Sequence, residues 1–250
     1  MIELSELAAW CDELLAVDTF QDYCPNGLQV EAGREVRRLV SGVTASQALV
    51  DAAVAAGADA LLVHHGYFWR GEAEPLTGIK GRRIATLLRN GVSLLAYHLP
   101  LDAHPELGNN RQLGERLGIS PGAAPWRVGS LLWQGRLEAP LSPSGFAARI
   151  ARALGREPLH IAVGDDPIER IAWCSGGAQG AIEEAARAGA QAYVSGEISE
   201  QTTHLARELG IHYFAAGHHA TERYGVQALG ARLAARFGIG HRYIEIPNPA

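Results

Sequence analysis

The sequence predicts an α/β protein made of two duplicated halves, each with a central sheet flanked by helices. Alanine-rich helical segments alternate with short apolar strands along the chain. The pattern of residues 38–66 recurs at 170–197, and that of residues 80–98 recurs at 198–217. Four matched elements in the same order favour a duplication over the chance likeness of alanine-rich βαβ units.

Residues 38–66, RLVSGVTASQALVDAAVAAGADALLVHHG, show the plan of one half. RLVSGV is a β-branched run typical of a strand, and SQALVDAAVAAG is an alanine-rich helix that ends at Gly57, a typical C-cap residue. DALLV is a continuous apolar run, typical of a strand buried on both faces of a parallel sheet. We therefore expect a strand–helix–strand unit here and in its repeat.

The middle of the chain, residues 120–145, is rich in proline and glycine and predicts the junction between the halves. The first predicted half, 1–122, carries His64, His65 and Asp102. The second, 123–250, carries His218 and Glu222, and an interleaved arrangement of the halves stays open. GSLLWQGRLEAPLS within this region favours a strand pair or an edge strand, followed by a helix in which Ser144 is the expected N-cap.

Composition excludes several classes of protein. The formal net charge of −5 argues against broad binding to nucleic acid, which requires a strongly basic surface. The acidic N-terminus is unlike a signal peptide, and no apolar run is long enough for a membrane span. The 3 cysteines form no CxxC pair, so we expect buried free thiols and a cytoplasmic location.

Histidines and carboxylates follow three of the predicted strands. Strand ends are where ligands collect in α/β proteins with parallel sheets, so these side chains are expected on one face. ALLV is followed by His64 and His65, SLLAY by His98 and Asp102, and HYFAA by His218, His219 and Glu222.

Neutral imidazoles and carboxylates are the mixed ligands that zinc, iron and manganese prefer. A carboxylate can also bridge two cations, which at a separation of about 3.5–4 Å can activate one water. The set suited to such a dinuclear site is His64, His65, Asp102, Glu222 and one or both of His218 and His219. Each residue has a structural alternative: the His pairs as surface residues, Asp102 as a turn cap and Glu222 as a partner of a helix dipole. The metal site is absent only if every one of these alternatives is true.

The spacing of AAGHHATERYG leaves the choice between two histidines open. A helix over residues 218–229 places His218 at i and Glu222 at i+4 on one face, but it places His219 only three residues from Glu222. The i,i+4 pattern is the more familiar way to chelate a cation from one helix and favours His218. We expect His104 and His219 to be structural neighbours.

Six spaced motifs are distributed along the whole chain. They are DYCPNGLQVE (22–31), VHHGYFWRG (63–71), HLPLDAHPELGNN (98–110), SGEISEQT (195–202), GHHATERYG (217–225) and the closing IPNPA. Together they resemble the NIF-three-like dinuclear-metal family. The resemblance covers essentially the whole chain, shows no departure at any metal position and is strongest to the short bacterial YbgI-type members, labelled GTP cyclohydrolase I type 2 homologues.

The resemblance implies a duplicated α/β fold, a ring-shaped homohexamer and two divalent metal ions per chain. Carried over, His65 and Asp102 bind one metal, His64 and His218 bind the other, and Glu222 bridges both. His98 stands beside the site as an acid/base group or an outer neighbour of the ligands.

The candidate metal ligands and the resemblance together predict a metal-dependent hydrolase acting on a nucleotide or related heterocycle. His98 and Glu222 are its expected catalytic residues. The alternative is a non-catalytic metal-binding regulatory or scaffold protein. Three aromatic residues after the His pair, Tyr67, Phe68 and Trp69, can stack on a base or pack in a core. Candidate phosphate contacts are Arg70, Arg82 and Arg83, for which a solvated helix face is the competing interpretation.

Overall fold

The chain divides into two compact units that interleave along the sequence. The structure, a computed structural model, describes residues 1–119, 124–125, 127 and 130–250. Unit 1 contains Met1–Leu101 and Gly225–Pro247, and unit 2 contains Asp102–Tyr224 and Asn248–Ala250. The boundary predicted between residues 122 and 123 lies outside the described residues.

The strands and helices of the described residues alternate as the sequence predicts. The strands are β1 (Ile2–Glu3), β2 (Gly27–Val30), β3 (Glu35–Val36), β4 (Arg38–Thr44), β5 (Ala60–His65), β6 (Ser93–Ala96), β7 (Ala124–Pro125), β8 (Trp133–Leu141), β9 (Leu159–Ile161), β10 (Ile168–Trp173), β11 (Ala192–Ser195), β12 (His212–Ala215) and β13 (Gly240–Tyr243). The helices are α1 (Leu4–Leu14), α2 (Gln47–Ala55), α3 (Gly78–Arg89), α4 (Leu99–Ala103), α5 (Asn109–Arg116), α6 (Pro143–Leu154), α7 (Ile182–Arg187), α8 (Glu200–Leu209), α9 (His218–Thr221) and α10 (Arg223–Phe237).

Unit 1 is built on a five-stranded sheet in the order β13-β4-β5-β6-β2. β4, β5 and β6 are parallel to one another, β13 is parallel to β4, and β2 is antiparallel to β6. The pairing of β13 with β4 explains why residues 225–247 belong to unit 1. β5 and β6 are buried along nearly their whole length, as their continuous apolar runs predict.

Helix α2 begins and ends as its sequence predicts. The Ser46 hydroxyl accepts a hydrogen bond from the Leu49 backbone N–H at 3.3 Å, which satisfies one of the donors left open at a helix start. After Ala55, Gly57 adopts a φ of +66°, the left-handed conformation that glycine takes most readily, and its N–H donates to the Val54 carbonyl at 2.9 Å. The helix therefore returns the chain directly into β5.

Unit 2 repeats this plan on a sheet in the order β7-β8-β10-β11-β12-β9. β10, β11 and β12 are parallel, and the antiparallel strands β8 and β9 border them. β4-α2-β5-α3-β6 in unit 1 thus corresponds to β10-α7-β11-α8-β12 in unit 2. The predicted duplicated α/β fold is confirmed.

The predicted N-cap of α6 is wrong by two residues. Ser142, not Ser144, caps the helix, because its hydroxyl accepts a hydrogen bond from the Gly145 N–H at 3.1 Å. Pro143 occupies the first helical position, where its fixed φ and missing N–H cost nothing. The proline therefore sets the helix start ahead of Ser144.

The helix considered over 218–229 is interrupted at Glu222. Glu222 has φ −112° and ψ 9°, outside the helical range, and separates α9 from α10. The Thr221 hydroxyl donates to the Gly217 carbonyl at 2.9 Å and accepts from the Gly176 N–H at 3.0 Å. This side chain ties the end of α9 to the loop after β10, and local bonds of this kind compete with helix continuation.

The cysteines are buried thiols, as predicted. Cys11, Cys24 and Cys174 are free and buried. Burial raises the pKa of Cys11 and Cys24 to about 12 and raises that of Cys174 as well, so all three stay protonated at neutral pH. Within the described part of the chain, no helix is long and apolar enough to cross a lipid bilayer.

Candidate metal centre

Three imidazoles meet at the carboxyl ends of β5 and β6 in unit 1. His64 and His65 end β5, and His98 follows β6 by two residues. The ring centroid of His64 lies 4.6 Å from that of His65 and 5.0 Å from that of His98. One nitrogen from each ring lies within 4.8 Å of the others, a spacing that can hold a metal ion.

Hydrogen bonds at Nδ1 orient two of these rings. His64 Nδ1 lies 2.8 Å from the Tyr97 carbonyl oxygen, which can only accept, so neutral His64 carries its proton on Nδ1 and its lone pair on Nε2. His98 Nδ1 lies 2.7 Å from a carboxylate oxygen of Asp22 and is fixed in the same way. A second hydrogen bond of this kind is typical of metal-binding and catalytic histidines because it sets the tautomer and the ring orientation.

Asp22 is a site residue that sequence reasoning missed. Its carboxylate accepts hydrogen bonds from the His98 ring, the Asn26 side chain at 2.9 Å and the backbone N–H of Leu99 at 2.9 Å. Burial by itself raises the pKa of this carboxyl, but the hydrogen bonds from His98 and Asn26 outweigh it and lower the pKa to about 2. Asp22 is the first residue of the motif DYCPNG, but nothing in this motif indicates a contact with His98.

Unit 2 contains two buried carboxylates that lie close to each other. Asp102 and Glu222 are 5% and 3% exposed, and an oxygen of one lies within 4.8 Å of an oxygen of the other. Asp102 accepts hydrogen bonds from Asn109 at 2.8 Å and from the Ser175 hydroxyl at 3.3 Å. Two carboxylates brought this close inside a protein favour a cation between them.

His218, the predicted ligand, lies against Glu222. Its Nε2 is 3.1 Å from a carboxylate oxygen of Glu222, and its Nδ1 is 2.7 Å from Glu197. The hydrogen bond with Glu222 raises the pKa of His218 to about 9, with a smaller contribution from Glu197, although burial opposes the shift. Glu197, in the motif SGEISEQT, is a further residue that sequence reasoning did not identify. His219 is buried beside His218, and its backbone N–H donates to the Ala250 carbonyl at 3.2 Å.

Two glycines of unit 2 allow the backbone to lie close to Glu222 and His218. Gly176 has a φ of +65°, and a Cβ built on it would lie 2.0 Å from Glu222 Oε1 and 3.2 Å from His218 Nε2. A Cβ on Gly196 would lie 2.6 Å from the His218 Cα. Only residues without side chains allow the backbone to approach Glu222 and His218 this closely.

The other predicted residues lie in the core, beside His98 or in a local turn. Tyr67 is buried and its hydroxyl donates to the Ala45 carbonyl at 2.8 Å, which places it in the core. Trp69 instead stands edge-on to His98, with ring centroids 5.0 Å apart. His104 Nδ1 accepts from the Leu107 N–H at 3.0 Å in a local turn.

The candidate phosphate contacts Arg70 and Arg82 lie in different surroundings. Arg70 lies over the ring of Tyr23, with 5.9 Å between its guanidinium carbon and the ring centroid. Arg82 lines a groove of about 620 Å³ along α3, with Asp51 and Arg89, and none of the clustered histidines lines that groove. Among the three arginines, Arg70 has the contacts that connect it to the histidine cluster, through Tyr23 and Asp22.

The fold and these clusters define a class: duplicated α/β proteins with imidazole and carboxylate groups at their strand ends. Residues 2–249 match the model of the family Duf34/NIF3 (NGG1p interacting factor 3). The chain belongs to this family, which confirms the resemblance found in the motifs.

Relatives of similar length resemble the chain in sequence and fold. GTP cyclohydrolase 1 type 2 homolog from Allochromatium vinosum is 58% identical over 250 residues, covering 100% of this chain and 98% of the relative. The protein of the same name from Pseudomonas aeruginosa is 59% identical over 251 residues, covering 100% and 99%. Among solved structures, the protein ybgI, described as of unknown function, has a TM-score of 0.96 and 48% identity over 100% of both chains.

Proposed function

We propose that the protein is a metal-dependent hydrolase that acts on a nucleotide or a related heterocycle. The observation that carries the proposal is the cluster of oriented imidazoles in unit 1 and, in unit 2, two buried carboxylates with His218 beside one of them. The relatives named GTP cyclohydrolase 1 type 2 homolog support a nucleotide as the substrate class.

We further propose that five residues hold two divalent cations. The residues are His64, His65, Asp102, His218 and Glu222. The family resemblance assigns His65 and Asp102 to one cation, His64 and His218 to the other, and Glu222 to both. Nitrogen and carboxylate oxygen donors suit zinc, iron or manganese. The glycine at position 176 lets the backbone lie close to the proposed ligands Glu222 and His218.

The chain's own residues supply proton transfer and orientation. Bound divalent cations would supply Lewis acidity and water activation. His98 exchanges a proton with the substrate through Nε2, because its Nδ1 proton is held by Asp22. The Asp22 carboxylate stays ionised above a pH of about 2 and stabilises the imidazolium that forms when His98 accepts a proton.

Metal-reconstituted protein is expected to turn over GTP or another member of a nucleotide panel. Chelation is expected to abolish turnover and added metal to restore it. His98→Gln is expected to lower turnover by about 10²–10⁴-fold while the bound metal stays unchanged, because the residue acts on the proton and is not a proposed ligand. Turnover that survives chelation or a combined His64→Ala and Glu222→Ala substitution would contradict the proposal. Full metal content without turnover across the panel would favour the regulatory or scaffold alternative.

Metal affinity is expected to rise with pH up to about 9. In the metal-free chain His218 is protonated below its pKa of about 9, and a cation that binds Nε2 must displace that proton. One such proton lowers the apparent affinity by about tenfold per pH unit as the pH falls below 9. Competition with a chelator of known affinity between pH 6.5 and 9.5 measures the slope.

His218→Gln provides the control for the pH dependence. Glutamine cannot take up the proton, so the slope of affinity against pH is expected to decrease by one proton. The hydrogen bond between His218 and Glu222 also affects the stability of the metal-free chain. A raised pKa stabilises the folded chain below the ordinary value of 6.5, and this contribution is lost as the pH rises through about 9. An unchanged slope in His218→Gln would exclude His218 as the ligand that releases the proton.

We also propose a homohexameric ring in the cytoplasm, as the family resemblance implies. The buried, protonated thiols of Cys11, Cys24 and Cys174 are compatible with a reducing compartment. Analytical ultracentrifugation of the purified chain tests the assembly, for which a mass near six chains is expected and a monomer would contradict it.

A further inference from the structure

An exposed aromatic residue and an arginine stand beside the histidine cluster of unit 1. Tyr23 is 59% exposed, although it lies next to Asp22 and its ring centroid is 6.4 Å from that of His98. Arg70 covers the same ring at 5.9 Å. Trp69 also stands edge-on to His98. Tyr, Trp and Arg are the residue types that dominate binding surfaces.

The loop that carries Tyr23 is held in place. The Asp22 carboxylate accepts the Tyr23 N–H at 2.6 Å, and Asn26 Oδ1 accepts the His98 N–H at 2.7 Å. The Arg70 N–H donates to the Tyr23 carbonyl at 2.7 Å, and the Arg70 guanidinium donates to the Asp22 carbonyl at 3.2 Å. The backbone that carries the exposed ring is thus fixed, so a ligand would not have to order this loop.

The loop that carries Trp69 is equally constrained. Its indole N–H donates to the Gly66 carbonyl at 3.2 Å, and the backbone N–H groups of Phe68 and Trp69 donate to Glu72 at 3.0 and 3.2 Å. Phe68 has a φ of +65°, a conformation that a non-glycine residue keeps only where its surroundings impose it. These hydrogen bonds hold the loop that places Trp69 beside His98.

We infer that Tyr23, Trp69 and Arg70 form a recognition site for a planar heterocycle that carries an anionic group, next to the imidazole of His98. The aromatic side chains stack on the ring system, and Arg70 pairs with the anion, as arginine does with phosphate. His98 then lies beside the bound ring, with Nε2 as its proton-exchanging nitrogen. This inference rests on the proposed function, because it supplies the contacts that would select the substrate.

The full chain is tested in the presence of a chelator, so that no turnover accompanies binding. The probes are GMP, guanosine and ribose 5-phosphate, measured by calorimetry and by the tryptophan fluorescence of the wild type and of Trp69→Phe. GMP is expected to bind most tightly and to quench a signal that Trp69→Phe lacks. Tyr23→Ala is expected to weaken GMP and guanosine by about tenfold, the loss of one stacking contact of about 1–3 kcal/mol, whereas Tyr23→Phe keeps the affinity.

Arg70→Gln separates the anion contact from the ring contacts. It is expected to weaken GMP by about tenfold, which corresponds to about 1.4 kcal/mol, and to leave guanosine unchanged, since guanosine carries no anionic group. Arg207→Gln, the same charge change at an exposed position of α8, is the matched control and is expected to leave both affinities unchanged.

Three results would overturn the inference. They are no binding of GMP or guanosine, equal affinities in the wild type and in Tyr23→Ala, and a change of oligomeric state in Tyr23→Ala without a change in affinity. The last result would assign the exposed ring to a contact with a second copy of the chain. None of these results depends on metal content or turnover, so failure of the recognition site is distinguishable from failure of the proposed hydrolase.

Discussion

Glu222→Ala is expected to lower the metal content from about two divalent cations per chain to about one or fewer. Glu222 is the proposed ligand of both cations, it is only 3% exposed, and it lies within 4.8 Å of Asp102. Its loss removes one donor from each cation and a buried negative charge from the site. Metal analysis by mass spectrometry after reconstitution and gel filtration measures the change.

Thermal unfolding gives an independent measure of the same loss. A cation present at about 1,000 times its dissociation constant stabilises the wild type by about 4 kcal/mol, because it binds only the folded chain. Glu222→Ala is expected to lose most of this metal-induced stabilisation. Glu208→Gln, which neutralises an exposed carboxylate on α8, is the control and is expected to keep it. Equal metal content in Glu222→Ala and the wild type would show that Glu222 is not a ligand.

Gly176→Ala is expected to remove metal binding although it substitutes none of the proposed ligands. The new methyl group would lie 2.0 Å from Glu222 Oε1, so the Glu222 carboxylate must move from its place beside His218 Nε2. Alanine at a φ of +65° also costs about 1–2 kcal/mol in the free energy of unfolding. Metal titration and chemical unfolding of the same variant measure the two effects separately.

Gly189→Ala is a matched control for this substitution. Gly189 lies in the same unit with a φ of +75°, but a Cβ there would meet nothing within 4 Å. Gly189→Ala is therefore expected to lose a similar 1–2 kcal/mol or so of stability and to keep the full metal affinity. If both variants bound metal equally well, the close approach of Gly176 to Glu222 would have no role in the site.

Most of the fold was predictable because its signals are local. The apolar runs of β4 and β5, and the serine and glycine at the two ends of α2, identify a parallel strand–helix–strand unit from adjacent residues. The pairing of β13 with β4 was not predictable, because its partner lies about 200 residues earlier along the chain. That pairing is what makes the two units interleave.

The site was predictable to the extent that its residues follow strands directly. His64, His65 and His98 come together because β5 and β6 are parallel neighbours. The groups that orient them are remote: Asp22 lies 76 residues from His98, and Glu197 lies 21 residues from His218. A lone carboxylate in a loop shows no periodicity or spacing that would pair it with a distant histidine. The contact of Thr221, next to the break at Glu222, with Gly176 is likewise remote, because the two residues lie 45 positions apart along the chain.

Anomalous X-ray diffraction from crystals of the metal-reconstituted chain tests the dinuclear centre most directly. Two anomalous peaks per chain are expected, one at His65 and Asp102 and the other at His64 and His218, with Glu222 contacting both. A single peak at these residues, or peaks only at other residues, would contradict the dinuclear centre.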